Sequence, residues 1–271
     1  MFIQNFPRAF LVSLTLGIGV SACTTSPTGR SQFIVVSDAQ MSAMGVQAYS
    51  ELKKNEIISG DIRKTEYVRC VANQIINQLP GNYARQNWEI NLFQDPSPNA
   101  FALPGGKIGV NTGIFKAATN QHQLATVLAH EIGHVIAQHG AERVSTSMAT
   151  DIGLQVVEIA AGASGQPLGQ GAVAALGMGA QYGVLMPFGR TQESEADRIG
   201  LDLMARAGFN PQEAVGLWQN MAKLGGTNPP EFLSTHPSGA SRITDLNANM
   251  RNAQAVAQAA NRMGKNPQCQ P

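Results

Sequence analysis

One pentapeptide limits this chain more than any other stretch: His130-Glu131-Ile132-Gly133-His134, set inside an apolar run that extends from Leu124 to Ala137. Residues four apart on an α-helix share a face about one turn apart. His130 and His134 can therefore direct two imidazoles at one metal ion. Glu131 sits one step round the helix, off that direction but within reach of a water bound to the metal. Two His ligands, a third ligand elsewhere and a Glu general base are the parts of a metal-activated hydrolase. The competing reading is a core helix with two hydrogen-bonded histidines. It fares worse, because two imidazoles and a carboxylate are costly in an apolar helix unless paired or metal-bound. Gly133 also lowers helix propensity by about 1 kcal/mol, which points to something approaching that face closely.

A third ligand is available downstream. Glu193 and Asp197 are four apart in Glu193-Ser194-Glu195-Ala196-Asp197 and share a helix face, whereas Glu195 points elsewhere. One acid can bind metal while its neighbour a turn later holds a ligand imidazole, so Glu193 is taken as the ligand and Asp197 as the orienting group. Glu142, Glu158 and Glu195 are the alternative carboxylates, none with an acid at that offset nearby. His139 reads as a surface or cap histidine, because residues 135–137 continue the helical pattern, and His122 reads likewise. His236 sits on a turn before the last helix, where it can donate to an oxyanion or merely cap.

The chain has 271 residues, 43% of them apolar and 14% charged, enough for one sizeable core. With a net charge of +1, nothing points to nucleic acid as a partner. Arg8 followed by the apolar segment 9–20 reads as a signal sequence, too short for a comfortable membrane span. Val20-Ser21-Ala22-Cys23 resembles a bacterial lipobox. Residues 1–22 are therefore expected to be a lipoprotein signal peptide and Cys23 the lipidation site, with several acyl chains giving firm anchoring. Thr24 is not the Asp associated with inner-membrane retention, so the outer membrane, facing the periplasm, is the expected location. Residues 23–32 would form a lipidated tether, 33–263 a single zinc peptidase domain and 264–271 a loose tail. Cys70 and Cys269 are an even pair in an oxidising compartment, and a disulfide between them is expected.

Periodicity predicts a brief strand over 33–36, a helix from Ser37 or Asp38 to Lys54, and another over 61–79. An alternating strand over 88–93 and a hairpin of 100–103 with 107–110 follow. An open edge of that hairpin can hold an extended peptide by backbone hydrogen bonds. Helices are predicted over 121–138, 141–159, from about 190 to Gly208, over 211–224 and through Ile243 to Met250. The Gly- and Ala-rich stretch 160–183 reads as a loop and small-residue helix able to act as a lid or plug. The fold class is α+β, mostly helical: a zincin-type catalytic domain with a small hairpin or sheet edge beside the metal helix.

Several stretches, in order, resemble metallopeptidase family forty-eight. They are Gly29 to Gln32, Asn99 to Gly106, His130 to His134, Glu193 to Gly200, and Ser234 to Pro237 with Arg242-Ile243. The resemblance implies one zinc ion per chain on His130, His134 and Glu193, with Glu131 as general base. It implies Asp197 behind a ligand imidazole, His236 near the scissile carbonyl, and Asn99 and Ala100 on a substrate-binding edge strand. It also implies a soluble, Oma-like catalytic domain. Two departures stand out. Gly189 replaces a frequent Ser, and only 28 residues follow Ile243 (271 − 243), too few for the helical-repeat domain of some members.

The expected function is a membrane-anchored zinc metalloendopeptidase acting on misfolded or stalled polypeptides of the cell envelope. The rival expectation is a periplasmic chaperone or assembly lipoprotein whose zinc is closed off by His236 as fourth ligand. No sequence feature sets an oligomeric state.

Overall fold

Ser37 opens the first long helix, α1 (Asp38–Asn55): its Oγ accepts from the Gln40 N–H while the Gln40 side chain accepts from the Ser37 N–H. This reciprocal cap satisfies donors that a helix start leaves bare. Asp61 caps α2 (Ile62–Ile76) in the same spirit, and Val68, Val71, Ala72 and Ile75 on one face of α2 are fully buried. The computed structural model describes residues 23–160, 188–225, 231–236 and 241–271. The expected signal peptide, nearly all of the Gly-rich stretch and Pro237 lie outside the described residues.

Ahead of α1, β1 (Cys23–Thr25) and β2 (Ser31–Phe33) pair antiparallel, with Ser26 N–H bonded to Arg30 O at 2.8 Å across the turn. The segment expected as a plain tether is thus a closed hairpin, and the strand expected over 33–36 lies earlier. A three-stranded sheet follows: β3 (Glu89–Phe93), β4 (Ala100–Leu103) and β5 (Lys107–Asn111), in the order β3-β5-β4. β3 runs parallel to β5, and β4 antiparallel to it, with Ala100 opposite Val110 and Leu103 opposite Lys107. The alternation expected in β3 is absent: Ile90, Asn91, Leu92 and Phe93 are all buried. Helices cover one face of this short sheet, while Phe93 packs with Tyr49 of α1 and Leu103 on the other. A strand covered on both faces has no solvent side to alternate toward.

The core is built on α3 (Gln121–Ile136). Asn120 caps it through the N–H groups of His122 and Gln123, and every residue from Gln123 to Ile136 is buried. A helix apolar nearly all round belongs in the middle of a domain. Around it stand α4 (His139–Ala160), α5 (Arg190–Arg206), α6 (Glu213–Gly225), the short α7 (Glu231–Thr235) and α8 (Arg242–Arg262). α3 and α5 cross at close range. A Cβ added to Gly133 would lie 2.9 Å from the Ala196 carbonyl oxygen, and one added to Gly200 would lie 2.9 Å from the His130 nitrogen. The close approach that Gly133 announced is the backbone of α5.

The tail after Met263 has no regular element, yet it is pinned rather than loose. Cys269 forms a disulfide with Cys70 of α2, with 5.8 Å between their Cα atoms. Gln121 donates to the Pro267 carbonyl and accepts from the Cys269 N–H, both at 2.9 Å. Among the described residues, no helix is long and apolar enough to cross a membrane.

Candidate metal centre

Three segments bring four side chains to one point. His130 and His134 come from successive turns of α3, Glu193 from the first turn of α5, and His236 from the residue just past α7. One donor atom from each of the four lies within 4.8 Å of every other, and all four residues are buried. His130 Nε2 is 3.1 Å from His134 Nε2 and 3.2 Å from His236 Nδ1. The Glu193 carboxylate is 3.4 Å from the Nε2 of each α3 histidine, and its Oε1 is 3.1 Å from His236 Nδ1.

These residues fit a divalent ion. Asp197 Oδ1 stands 2.9 Å from His130 Nδ1, an ion-pair distance that favours a proton on that nitrogen. The same ring's Nε2 faces the ring nitrogens of both other histidines, where a neutral imidazole with its one N–H at Nδ1 would present a lone pair to an ion. Burial disfavours charge on His130, but Asp197 and Glu193 outweigh it and lift the imidazole to about 10. Two carboxylates thus demand positive charge among buried rings. Burial likewise pushes the Glu193 carboxyl up, and His130 and His236 overcome it, holding the group well below the usual carboxylate range. Imidazole and carboxylate donors converging in a tetrahedral-sized space suit zinc.

Arg242, at the start of α8, closes the back of the site, a part the sequence reading left without a role. Its Nε donates to Asp197 Oδ2 at 2.7 Å and another guanidinium nitrogen bonds Glu193 Oε2. The guanidinium lies 3.8 Å over the Trp218 ring and the residue is 4% exposed. One fork thus holds both Glu193 and Asp197. The nearest sequence signal was its place six residues after His236.

Glu131 is buried beside the cluster, with its Oε1 3.3 Å from His236 Nε2. Burial pushes its carboxyl above the usual carboxylate value, against His236, His130 and the Ala102 backbone N–H, which favour the ionised form. Ala102 belongs to β4, the outer strand of the sheet, so the sheet edge runs past Glu131. Ala100 opens β4, and Asn99 just before it accepts from the Ala100 N–H. Next to this edge is a cleft of about 420 Å³, lined by Met41 and Met44 of α1, Ala102 and Leu103 of β4, His134 and Phe188. The Phe188 ring stacks on His134 with centroids 3.9 Å apart.

His139 departs from its expected place. It is fully buried, with Nδ1 2.9 Å from His134 Nδ1 and Nε2 3.1 Å from Glu195 Oε2. α3 ends at Ile136, and Gln138, at φ +54°, turns the chain so that His139 opens α4 facing back toward α3. His122 is half-buried at the start of α3 and accepts from the Asn210 N–H, as a surface or capping residue does. Glu195 points away from Glu193's partners, as the helix geometry requires. Gly189 brings no side-chain cap to α5; its N–H donates to Gln192 Oε1 instead. Cys23 carries a free, exposed thiol.

Residues 63–250 match Peptidase family M48. The chain belongs to this family. M48 relatives come from distant organisms. A mitochondrial metalloendopeptidase OMA1 of Schizosaccharomyces pombe is 39% identical over 184 residues, covering 67% of this chain and 52% of its own. The mitochondrial metalloendopeptidase OMA1 of Bos taurus is 32% identical over 274 residues, 96% of this chain and 51% of its own. The beta-barrel assembly-enhancing protease of Escherichia coli is 28% identical over 253 residues, 89% of this chain and 51% of its own. This M48 chain thus spans about half the length of the curated relatives it matches.

Proposed function

We propose that this M48 chain is a zinc metalloendopeptidase, with His130, His134 and Glu193 as metal ligands and Glu131 as general base. The convergence of those three donors with Glu131 alongside is the observation that carries the reading. When bound, zinc supplies a Lewis acid and lowers the pKa of a coordinated water. The residues do the rest. Asp197 and Arg242 hold His130 and Glu193 in their orientation. A peptide laid along β4 pairs its backbone with the strand edge near Asn99 and Ala100 and passes Glu131. Glu131 takes a proton from the attacking water and returns it to the leaving amine. His236, protonated at Nε2, donates to the oxygen that gains charge.

His236 supports a second arrangement of the same centre. Its Nδ1 already stands among the ligand atoms, 3.2 Å from His130 Nε2. Four side chains closing on the ion are the mark of a structural or resting site. In that reading the protein is an assembly factor, or a protease held latent until His236 moves aside.

The reading extends to place and substrate. Cys23, preceded by Ser21 and Ala22, is proposed as a lipidated anchor on the periplasmic face of the outer membrane, with misfolded or stalled envelope polypeptides as substrates. Two of the relatives carry mitochondrial names, so this placement rests on residues 1–23 and not on kinship.

The test uses an unfolded polypeptide such as casein. Cleavage should stop on chelation and return with zinc. Glu131→Gln should keep its zinc and lose about 100- to 10,000-fold in turnover. Near-wild-type turnover by that variant removes Glu131 from the mechanism. His236→Ala separates the two arrangements: faster cleavage supports a latent site, slower cleavage a donor to the oxyanion.

A further inference from the structure

His139 and Glu195 lie outside the ligand set and the mechanism uses neither, yet both are buried and joined to it. Glu195 leaves α5 on the side opposite Glu193. It accepts from Thr28 Oγ1 at 2.5 Å and from Arg30 Nε at 2.9 Å, both from the hairpin region before α1. The other end of the Arg30 guanidinium makes two bonds to Glu142, at 2.6 and 2.7 Å. Glu195 is thereby a fixed acceptor: its Oε1 takes the Thr28 hydroxyl and its Oε2 an ion pair from the Arg30 guanidinium.

The consequence passes through His139 by elementary proton counting. A carboxylate can only accept, so His139 Nε2, 3.1 Å from Glu195 Oε2, must carry a proton. His139 is fully buried, and its Nδ1 faces a second ring nitrogen where no acidic group stands to take another proton. Its Nδ1 is then a lone pair. That lone pair faces His134 Nδ1 at 2.9 Å, so His134 must donate there. His134, neutral as well, is left with its lone pair on Nε2, the atom that faces His130 and Glu193. Without this order His134 has two tautomers, and one of them places a proton where the ion would sit.

We propose that Glu195 and His139 are positioning residues, a relay that fixes His134 as the Nδ1–H tautomer with its Nε2 lone pair aimed into the metal site. The proposal rests on the reading of His134 as a ligand. It gives each α3 histidine its own carboxylate: Asp197 directly for His130, and Glu195 through an intervening ring for His134. Carboxylate partners of this kind commonly change metal affinity by about 10- to 100-fold.

The test has two readouts, neither of them activity. The first is the ring-nitrogen NMR signature of the full chain stripped of metal, where His134 should be protonated at Nδ1 and His139 at Nε2. The second is zinc affinity by competition with a chelator. His139→Leu should bind zinc about 10- to 100-fold more weakly and lose the single His134 tautomer. His139→Gln can both accept from His134 and donate to Glu195, so it should recover most of the affinity. Should the Leu variant fail to fold, Glu195→Gln takes its place, since an amide is no obligate acceptor; the same weakening is expected. Unchanged zinc affinity in the Leu variant, or in Glu195→Gln in its stead, overturns the relay, and so does a His134 ring protonated at Nε2. A wild-type chain that binds no zinc would defeat the zinc reading instead, and the tautomer of His134 would still decide the relay.

Discussion

Arg242 shows how much one buried side chain can organise. It bonds Asp197 and Glu193 together and stacks on Trp218. Arg242→Ala strands two buried carboxylates, a change that costs about 3–5 kcal/mol when a buried partner is lost. The metal-free variant should therefore melt well below the metal-free wild type, and added zinc should narrow the gap by supplying charge to Glu193. Equal melting temperatures without metal would show that Arg242 does not carry this load. Arg242→Lys should fall between, since an ammonium cannot fork to both acids. At this scale the sequence was legible where spacing along one helix sufficed, as for His130, His134, Glu193 and Asp197. It was not legible where a residue reached the site through a change of chain direction. His139 was misread because the turn at Gln138 uses a left-handed residue that is not glycine. The break between the helices was expected near there but its direction was not, and the imidazole that seemed to face solvent faces His134.

Among the elements, the contact of α3 with α5 matters most, because it sets the distance between the histidine pair and Glu193. Gly200 has no room for a side chain: an added Cβ would meet His130 N at 2.9 Å and Ala129 C at 3.0 Å, both backbone. Gly200→Ala should force the helices apart and cost about 1–3 kcal/mol, with weaker zinc binding as the more direct sign. Gly60→Ala, where an added Cβ meets nothing within 4 Å, is the control and should leave both quantities alone. A Gly200→Ala protein with wild-type stability and zinc affinity would mean that the crossing yields without consequence. Helix positions were readable from apolar stripes and, at Ser37, from a cap; the structure adds Asp61 and Asn120 as caps where the second and third long helices begin. Strand β3 was placed correctly but its exposure was not, since a sequence does not say that α1 will cover the second face.

At the scale of the whole chain, the Cys70–Cys269 bridge ties the tail to α2 across a separation of 199 residues. Closing a loop of that length stabilises a fold by about 2–5 kcal/mol through the unfolded state. Reduction, or Cys269→Ser, should lower the denaturant midpoint accordingly while the metal site stays assembled. Identical midpoints under oxidising and reducing conditions would rule the stabilisation out. The pairing was foreseeable from an even cysteine count, but the firm seating of residues 264–271 was not. That seating depends on Gln121 meeting Pro267 and Cys269, a contact between the ends of the domain that no local pattern encodes.

Strand β4 is only four residues long and stands on the outside of its sheet. A rim of that kind recognises amide groups that are still looking for partners. Helices and interior strands have few to offer, so on the proposed function a well-folded protein would be a poor client whatever its side chains are. A chain that has come undone would qualify almost anywhere along its length. Selectivity for damage would then need no recognition sequence, only the vacancy that damage leaves in a client's own hydrogen bonding.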